Sequence, residues 1–304
     1  MTRHKTHKKT SLFSTLISGL SFTECPRWHD GRLFVSDYFT HRVLAISRDG
    51  VAETVAHVPG QPAGLGFMPD NSLLISSMKD RKLLRLAGGS LTLHADLSAL
   101  APGRLNEMLV DHDGRAWVGN FGFDLHGGAP ARPTALICVE PNGAARIAAK
   151  DLGFPNGTVL TPDRSTLILA ETLMNRLSAF PVSNGVLGER RTWASFGDPP
   201  SSTDVWEILT KAEVAADGIC LDAEGAVWLA DVAHGRVLRV AEGGKILHEI
   251  AMDGLLPFAC MLGGDHGRTL FVCAAPTYDE VEAAANHQAV VLMTEVDVPH
   301  AGLP

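Results

Sequence analysis

Apolar positions in this chain occur in short runs of β-branched, aromatic and leucine residues, separated by clusters of Gly, Pro, Asp and Asn. The three-to-four-residue spacing of an amphipathic helix is scarce, so the pattern predicts an all-β protein. One phrase recurs: an apolar stretch, a tight polar turn, and a second apolar stretch. It reads "ECPRWHDGRLFVSD", "PAGLGFMPDNSLLISS", "LNEMLVDHDGRAWVGN", "FPNGTVLTPDRSTLIL", "AADGICLDAEGAVWLAD" and "PFACMLGGDHGRTLFVC". Aligned on the second turn residue (Gly31, Asn71, Gly114, Arg164, Gly225, Gly267), the copies are spaced by 40, 43, 50, 61 and 42 residues. Units of that length built from short strands predict four-stranded blades around an axis. A pair of β-sandwiches would not demand such phased repetition. Six copies give a six-bladed β-propeller, with "SLFSTLISGL" and "HQAVVLMTEVDV" expected to pair and close the ring.

The fourth copy poses a local question. Asn156-Gly157 between apolar runs is a strong hairpin-turn signal. The repeat instead puts the hairpin turn at "TPDRS", seven residues on, and leaves Asn156 at the start of an inner strand. The longest spacing contains an insertion, residues 195–215, in which Asp204 and Glu207 suggest a capping box opening one short helix. That segment is either a lid or a long loop.

Composition narrows the partners. With 304 residues, 45% hydrophobic and 20% charged, the chain can bury a large core. A formal net charge of −8 argues against nucleic acid. The dense basic run "RHKTHKK" falls within residues 1–10, expected to be a flexible tail, with 11–304 forming a single propeller domain. The segment after it is interrupted by Ser, Thr and Gly, unlike a secretory leader. No run reaches the length of a membrane span. Five scattered cysteines without CxxC spacing fit free thiols in a reducing, cytoplasmic setting.

Candidate chemistry appears eight residues before the aligned turn position. There the copies carry Ala63, Asn106, Asn156, Asp217 and Ala259, with Glu24 at the equivalent place in the shorter first copy. Inner strands converge on the axis, so these side chains should meet at one end of the channel. Two carboxylates and two amides left unpaired there would be costly. A bound cation removes that cost, and an all-oxygen set suits Ca²⁺, Mg²⁺ or Mn²⁺. No Cys or His shares the phase, which argues against a structural zinc site.

These phrases resemble the SMP-30/gluconolactonase/LRE (regucalcin-like) family, six-bladed propellers that include sugar lactonases. The resemblance rests on "ECPRW", "RLNEMLVDHDGRAWVGNFGFD", "FPNGTVLTPDRSTLILAET", "ADGICLDAEGAVWLADV" and "FACMLGGDHGRTLFVC" in that order, and runs from about residue 18 to the end. It implies that Glu24, Asn156 and Asp217 are metal ligands, that Asn106 contacts metal or substrate, and that Arg104 binds substrate. It further implies one divalent ion, Ca²⁺ first, with Mg²⁺, Mn²⁺, Zn²⁺ or Fe²⁺ as alternatives. Some sugar-specific members carry a glutamate in the loop that here reads "GNFGFDLHGG", where Asp124 or His126 either serves in its place or caps the loop. "LAET" around Glu171 resembles a bacterial branch.

The expected activity is hydrolysis of a small-molecule lactone, with the ion polarising the carbonyl and Asp217 as the base for water, Glu24 being second choice. No GxSxG nucleophile is present. Phosphotriester hydrolysis on the same metal site and a non-catalytic metal-binding propeller are the alternatives. Phe121, Phe123, Phe154, Trp206 and Phe258 belong either to the pocket or to the blade cores.

Overall fold

The computed structural model describes residues 12–302, and the basic N-terminal run lies outside the described residues. Six antiparallel sheets form the blades of a β-propeller. Their innermost strands are Thr23–His29, Pro62–Phe67, Leu105–Val110, Pro155–Leu160, Ala216–Leu221 and Leu256–Gly263, one from each repeat. Blades one to five run outward in chain order. The last blade takes its outermost strand, Ser14–Leu20, from the start of the chain, paired antiparallel with Ala289–Glu295. Ring closure therefore uses the two expected segments. Trp28 of the first blade stacks on Phe271 of the last (5.3 Å between ring centres, 14° between planes), adding apolar burial across that seam.

The phase of the repeat has a backbone cause. All six aligned turn residues adopt positive φ: Gly31 73°, Asn71 64°, Gly114 81°, Arg164 63°, Gly225 77° and Gly267 67°. That is the left-handed region that tight turns require. The Arg164 amide closes its turn onto the Thr161 carbonyl at 2.7 Å, which puts the fourth hairpin's turn in "TPDRS". Asn156 and Gly157 both lie inside the inner strand.

A second repeat was not anticipated. Asp37, Glu171 and Asp231, each with a fully buried side chain, end the second strand of their blades, and each pairs with the arginine five residues later. The distances are 3.1 Å to Arg42, 2.8 Å to Arg176 and 2.8 Å to Arg236. Glu171 also accepts from the Gly153 amide at 2.8 Å. Its role in "LAET" is to fasten a blade end.

The long spacing of the fourth repeat has two sources. A small hairpin strand, Val186–Leu187, extends the blade, and α1, Val205–Lys211, sits in the connection to the fifth blade. Asp204 caps α1 by accepting from the Glu207 amide at 2.9 Å. Glu207 instead accepts from Ser202 and Lys211, so only half of the expected capping box forms. A second helix, α2, Glu280–Asn286, interrupts the last blade between Thr269–Ala275 and Ala289–Glu295. No helix among the described residues is long and apolar enough to cross a membrane. All five cysteines are free and buried.

Candidate metal centre

Every inner strand has a register shift near the same point: between Glu24 and Arg27, Pro62 and Leu65, Leu105 and Met108, Pro155 and Thr158, Ala216 and Ile219, Pro257 and Ala259. A bulge bends a strand and re-aims its side chains. Six bulges at one phase turn one residue per blade toward the end of the channel. Glu24, Asn106, Asn156 and Asp217 are all buried, and all four line one cavity of about 440 Å³. Ala63 and Ala259 fill the other two positions, both fully buried.

The glycines after the phase residues have a packing reason. A Cβ on Gly157 would lie 2.4 Å from the Ile219 nitrogen and 2.6 Å from the Asp217 carbonyl oxygen. Gly157 thus lets two inner strands approach, bringing Asn156 beside Asp217.

The Asn156 amide donates to Asp217 Oδ1 and, at 3.2 Å, to Thr172 Oγ1. Thr172 in turn donates to the Ala216 carbonyl at 2.7 Å, fixing the pair. Asn106 Nδ2 donates to the Pro155 carbonyl at 3.4 Å. Three oxygens of residues lining this cavity, Glu24 Oε2 and Asn156 Oδ1 from the four donors together with Gln61 Oε1, are buried without any hydrogen-bond partner. Such orphaned acceptors are expensive and call for an explanation.

Sequence inspection missed Glu107. The bulge over Leu105–Met108 breaks strict alternation, and ligand atoms of Glu24, Cys25 and Glu107 all lie within 4.8 Å of one another. Arg27 approaches Glu107 at 3.9 Å. The available signal was the pair of adjacent polar residues, Asn106-Glu107, in an otherwise apolar inner strand.

Burial pushes the Glu24 carboxyl well above its usual range, and the negative charges of Asp217 and Glu107 add to the shift. Asp217 is raised likewise by burial and then by Glu107, with the Asn156 amide partly offsetting it. A cation would reverse this balance by favouring the ionised carboxylates. Two of those orphaned oxygens, two carboxylates strained by burial and an oxygen-only donor set at the phase together fit a hard divalent ion.

The cavity above these groups has aromatic walls. Phe22, Phe121, Phe154 and Phe258 line it, and Trp206 of α1 stacks on Tyr278, just before α2, at 5.1 Å and 13°. Phe123 does not line the cavity; it packs against Phe154 from behind, 6.0 Å between ring centres. Two residues expected at the substrate are absent from the cavity lining. Arg104 is outside the cavity lining, its Nη1 held by Glu280 Oε1 at 2.7 Å. Asp124 is outside as well and accepts from the Gly127 amide at 3.0 Å, which makes it a loop cap. His126 of the same loop does reach the cavity, with Nε2 3.3 Å from Glu280 Oε1.

These features define a class: six-bladed propellers with a cluster of oxygen donors at one mouth of the axial channel. The sequence profile of the SMP-30/Gluconolactonase/LRE-like region matches residues 22–276, and the chain belongs to that family. A 6-deoxy-6-sulfogluconolactonase of Pseudomonas putida is 26% identical over 92% of this chain and 93% of its own length. A pentonolactonase of Haloferax volcanii is 23% identical over 83% of this chain and 81% of its own. The crystal structure of a calcium-binding protein, regucalcin, from Agrobacterium tumefaciens superposes with a TM-score of 0.77 at 21% identity, covering 96% of this chain and 97% of that one, a likeness of fold.

Proposed function

We propose that this protein is a divalent-metal-dependent hydrolase that opens a lactone ring. The observation that carries the proposal is the pair of buried, unpartnered oxygens, Glu24 Oε2 and Asn156 Oδ1, gathered with Asp217 and Asn106 at the floor of the cavity. The names of the two lactonase relatives support the reaction class. The name of the structural neighbour supports calcium as the first metal to test.

Glu24, Asn156 and Asp217 would hold the ion, with Asn106 beside them. When bound, it would supply Lewis-acid polarisation of the carbonyl and stabilisation of the negative charge that develops on its oxygen. The protein's own groups do the rest. Asp217, oriented through its Oδ1 by the Asn156 amide, accepts a proton from the attacking water. Thr172 keeps that amide in place. The phenylalanine walls lower the polarity around the floor, strengthening the electrostatic contacts there. The new C–O bond forms from water, the ring C–O bond breaks, and the departing alkoxide takes up the proton to give a hydroxy acid. Asn106, facing the cavity, orients the ring.

The test is a panel of γ- and δ-lactones assayed after chelation and again after Ca²⁺ is restored. Turnover that follows the metal, and falls by about 10²- to 10⁴-fold in Asp217→Asn, supports the proposal. Tight metal binding without turnover of lactones or phosphotriesters would identify a metal-binding propeller instead. Turnover of phosphotriesters alone would move the site to that chemistry.

A further inference from the structure

Building on the hydrolase reading, we infer that the substrate is an uncharged lactone bearing an alkyl or aryl substituent, rather than a polyhydroxylated or anionic sugar lactone. The walls and roof of the cavity carry the inference. Phe22, Phe121, Phe154 and Phe258 surround the polar floor, and the Trp206–Tyr278 stack joins the two insertions above it. A sugar ring presents a hydroxyl on nearly every carbon and needs a matching set of polar partners. The floor donors and Gln61 could meet hydroxyls on one edge of such a ring, but the faces of Phe22, Phe121, Phe154 and Phe258 would leave those on the other edge desolvated and unpaired, at a cost for each.

Charge points the same way. The cavity is lined by Glu24, Asp217, Asp279 and Glu280, and no Lys or Arg lines it among the described residues. The nearby guanidinium, Arg104, is already engaged by Glu280 at 2.7 Å. His126 is held below its usual range, first by burial and then by the positive charge of Arg104, with Glu280 partly offsetting the shift. One cation on the floor would be absorbed by Glu24 and Asp217. Glu280 is balanced by Arg104, and the upper cavity would still hold Asp279, which has no ion-pair partner among the described residues and disfavours an anionic substituent. A volume of about 440 Å³ is ample for a lactone ring with an extended substituent.

The roof also supplies a reporter. Trp206 is 49% exposed, whereas the other four tryptophans, Trp28, Trp117, Trp193 and Trp228, are buried. A ligand filling the upper cavity should therefore change the fluorescence of this one tryptophan.

The experiment uses the full chain loaded with Ca²⁺. It compares a series from γ-butyrolactone through γ-nonalactone with glucono-δ-lactone, measured above spontaneous hydrolysis, while following tryptophan emission. The expected result is a kcat/KM that rises about fourfold for each added methylene until the chain fills the cavity, as burial of each CH₂ in an apolar site predicts. Glucono-δ-lactone should fall well below γ-nonalactone, and Trp206→Ala should flatten the dependence on chain length while its circular dichroism stays native. A flat series, or a preference for glucono-δ-lactone, overturns the inference and leaves the hydrolase reading standing. Saturable quenching by γ-nonalactone without turnover supports the apolar site and overturns the hydrolase reading. Neither quenching nor turnover overturns both.

Discussion

Replacing Glu24 by glutamine separates a metal ligand from an ordinary buried carboxyl, because the two roles predict opposite changes. Glutamine keeps the size of the side chain and imitates the protonated acid that burial and the Asp217 and Glu107 charges favour in the metal-free protein. With chelator present, Glu24→Gln should therefore unfold at the wild-type temperature or slightly above it. In Ca²⁺ the order reverses. A carboxylate about 4 Å from a doubly charged ion is attracted by on the order of 8 kcal/mol at an effective dielectric near 20, and with roughly half of that offset by the cost of ionising the buried carboxyl, about 4 kcal/mol is left. Its loss corresponds to roughly a thousandfold in Kd. At a Ca²⁺ concentration about 1,000 times the wild-type Kd, binding stabilises the wild type by about 4 kcal/mol. The variant, then near its own Kd, gains only about 0.4 kcal/mol. At about 2.1 cal/mol/K of unfolding entropy per residue, a 304-residue chain shifts by roughly 1.6 °C per kcal/mol, so Ca²⁺ should raise Tm by about 6 °C in the wild type and by less than about 1 °C in the variant. Differential scanning calorimetry with chelator and with Ca²⁺ reads both numbers, and titration calorimetry gives Kd directly. A variant that loses stability in chelator yet keeps its full response to Ca²⁺ would refute the assignment of Glu24 as a ligand.

Two further outcomes follow from the same floor. Gly157→Ala introduces a methyl group 2.4 Å from the Ile219 nitrogen, backbone that cannot swing aside. We expect a loss of about 1–3 kcal/mol, read as a lower Tm in chelator, together with weaker Ca²⁺ binding as Asn156 and Asp217 are forced apart; unchanged Ca²⁺ affinity would show that their spacing does not set the site. The pH dependence of the metal-free protein has a definite sign. Glu24 and Asp217 are raised in the folded state, so the unfolded chain releases their protons first, and stability falls as pH climbs from the ordinary carboxylate range toward the raised values. Ca²⁺ should abolish that decline, and a metal-free Tm that instead rises over this interval would contradict the electrostatics of the floor.

The floor of the cavity was legible because it is written in the repeat. One turn residue per blade fixes the register, all six of those residues take positive φ, and the residue eight positions earlier (Glu24 in the shorter first blade) lies where a bulge can aim it at the channel mouth. Glu107 escaped notice because the bulge suspends the alternation by which its side chain would be assigned to the blade interior. Resemblance points to Arg104 as a substrate contact, and Asp124 is a candidate only in place of a glutamate missing from its loop; whether either reaches a ligand depends on non-repeated loops. Glu280, contributed by the second helical insertion, takes the Arg104 guanidinium, and a three-residue loop contact to Gly127 occupies Asp124. No periodicity constrains residues 195–215 or the segment containing Tyr278 and Glu280, so nothing in the repeat could show that Trp206 and Tyr278 meet. This division has a functional consequence. The inner strands carry Glu24, Asn106, Asn156 and Asp217 at one phase, whereas the two helical insertions lie between strands and contribute no strand to any blade. Selectivity should therefore be sought in Trp206, Tyr278 and Glu280, and the capacity to bind a cation in the inner strands.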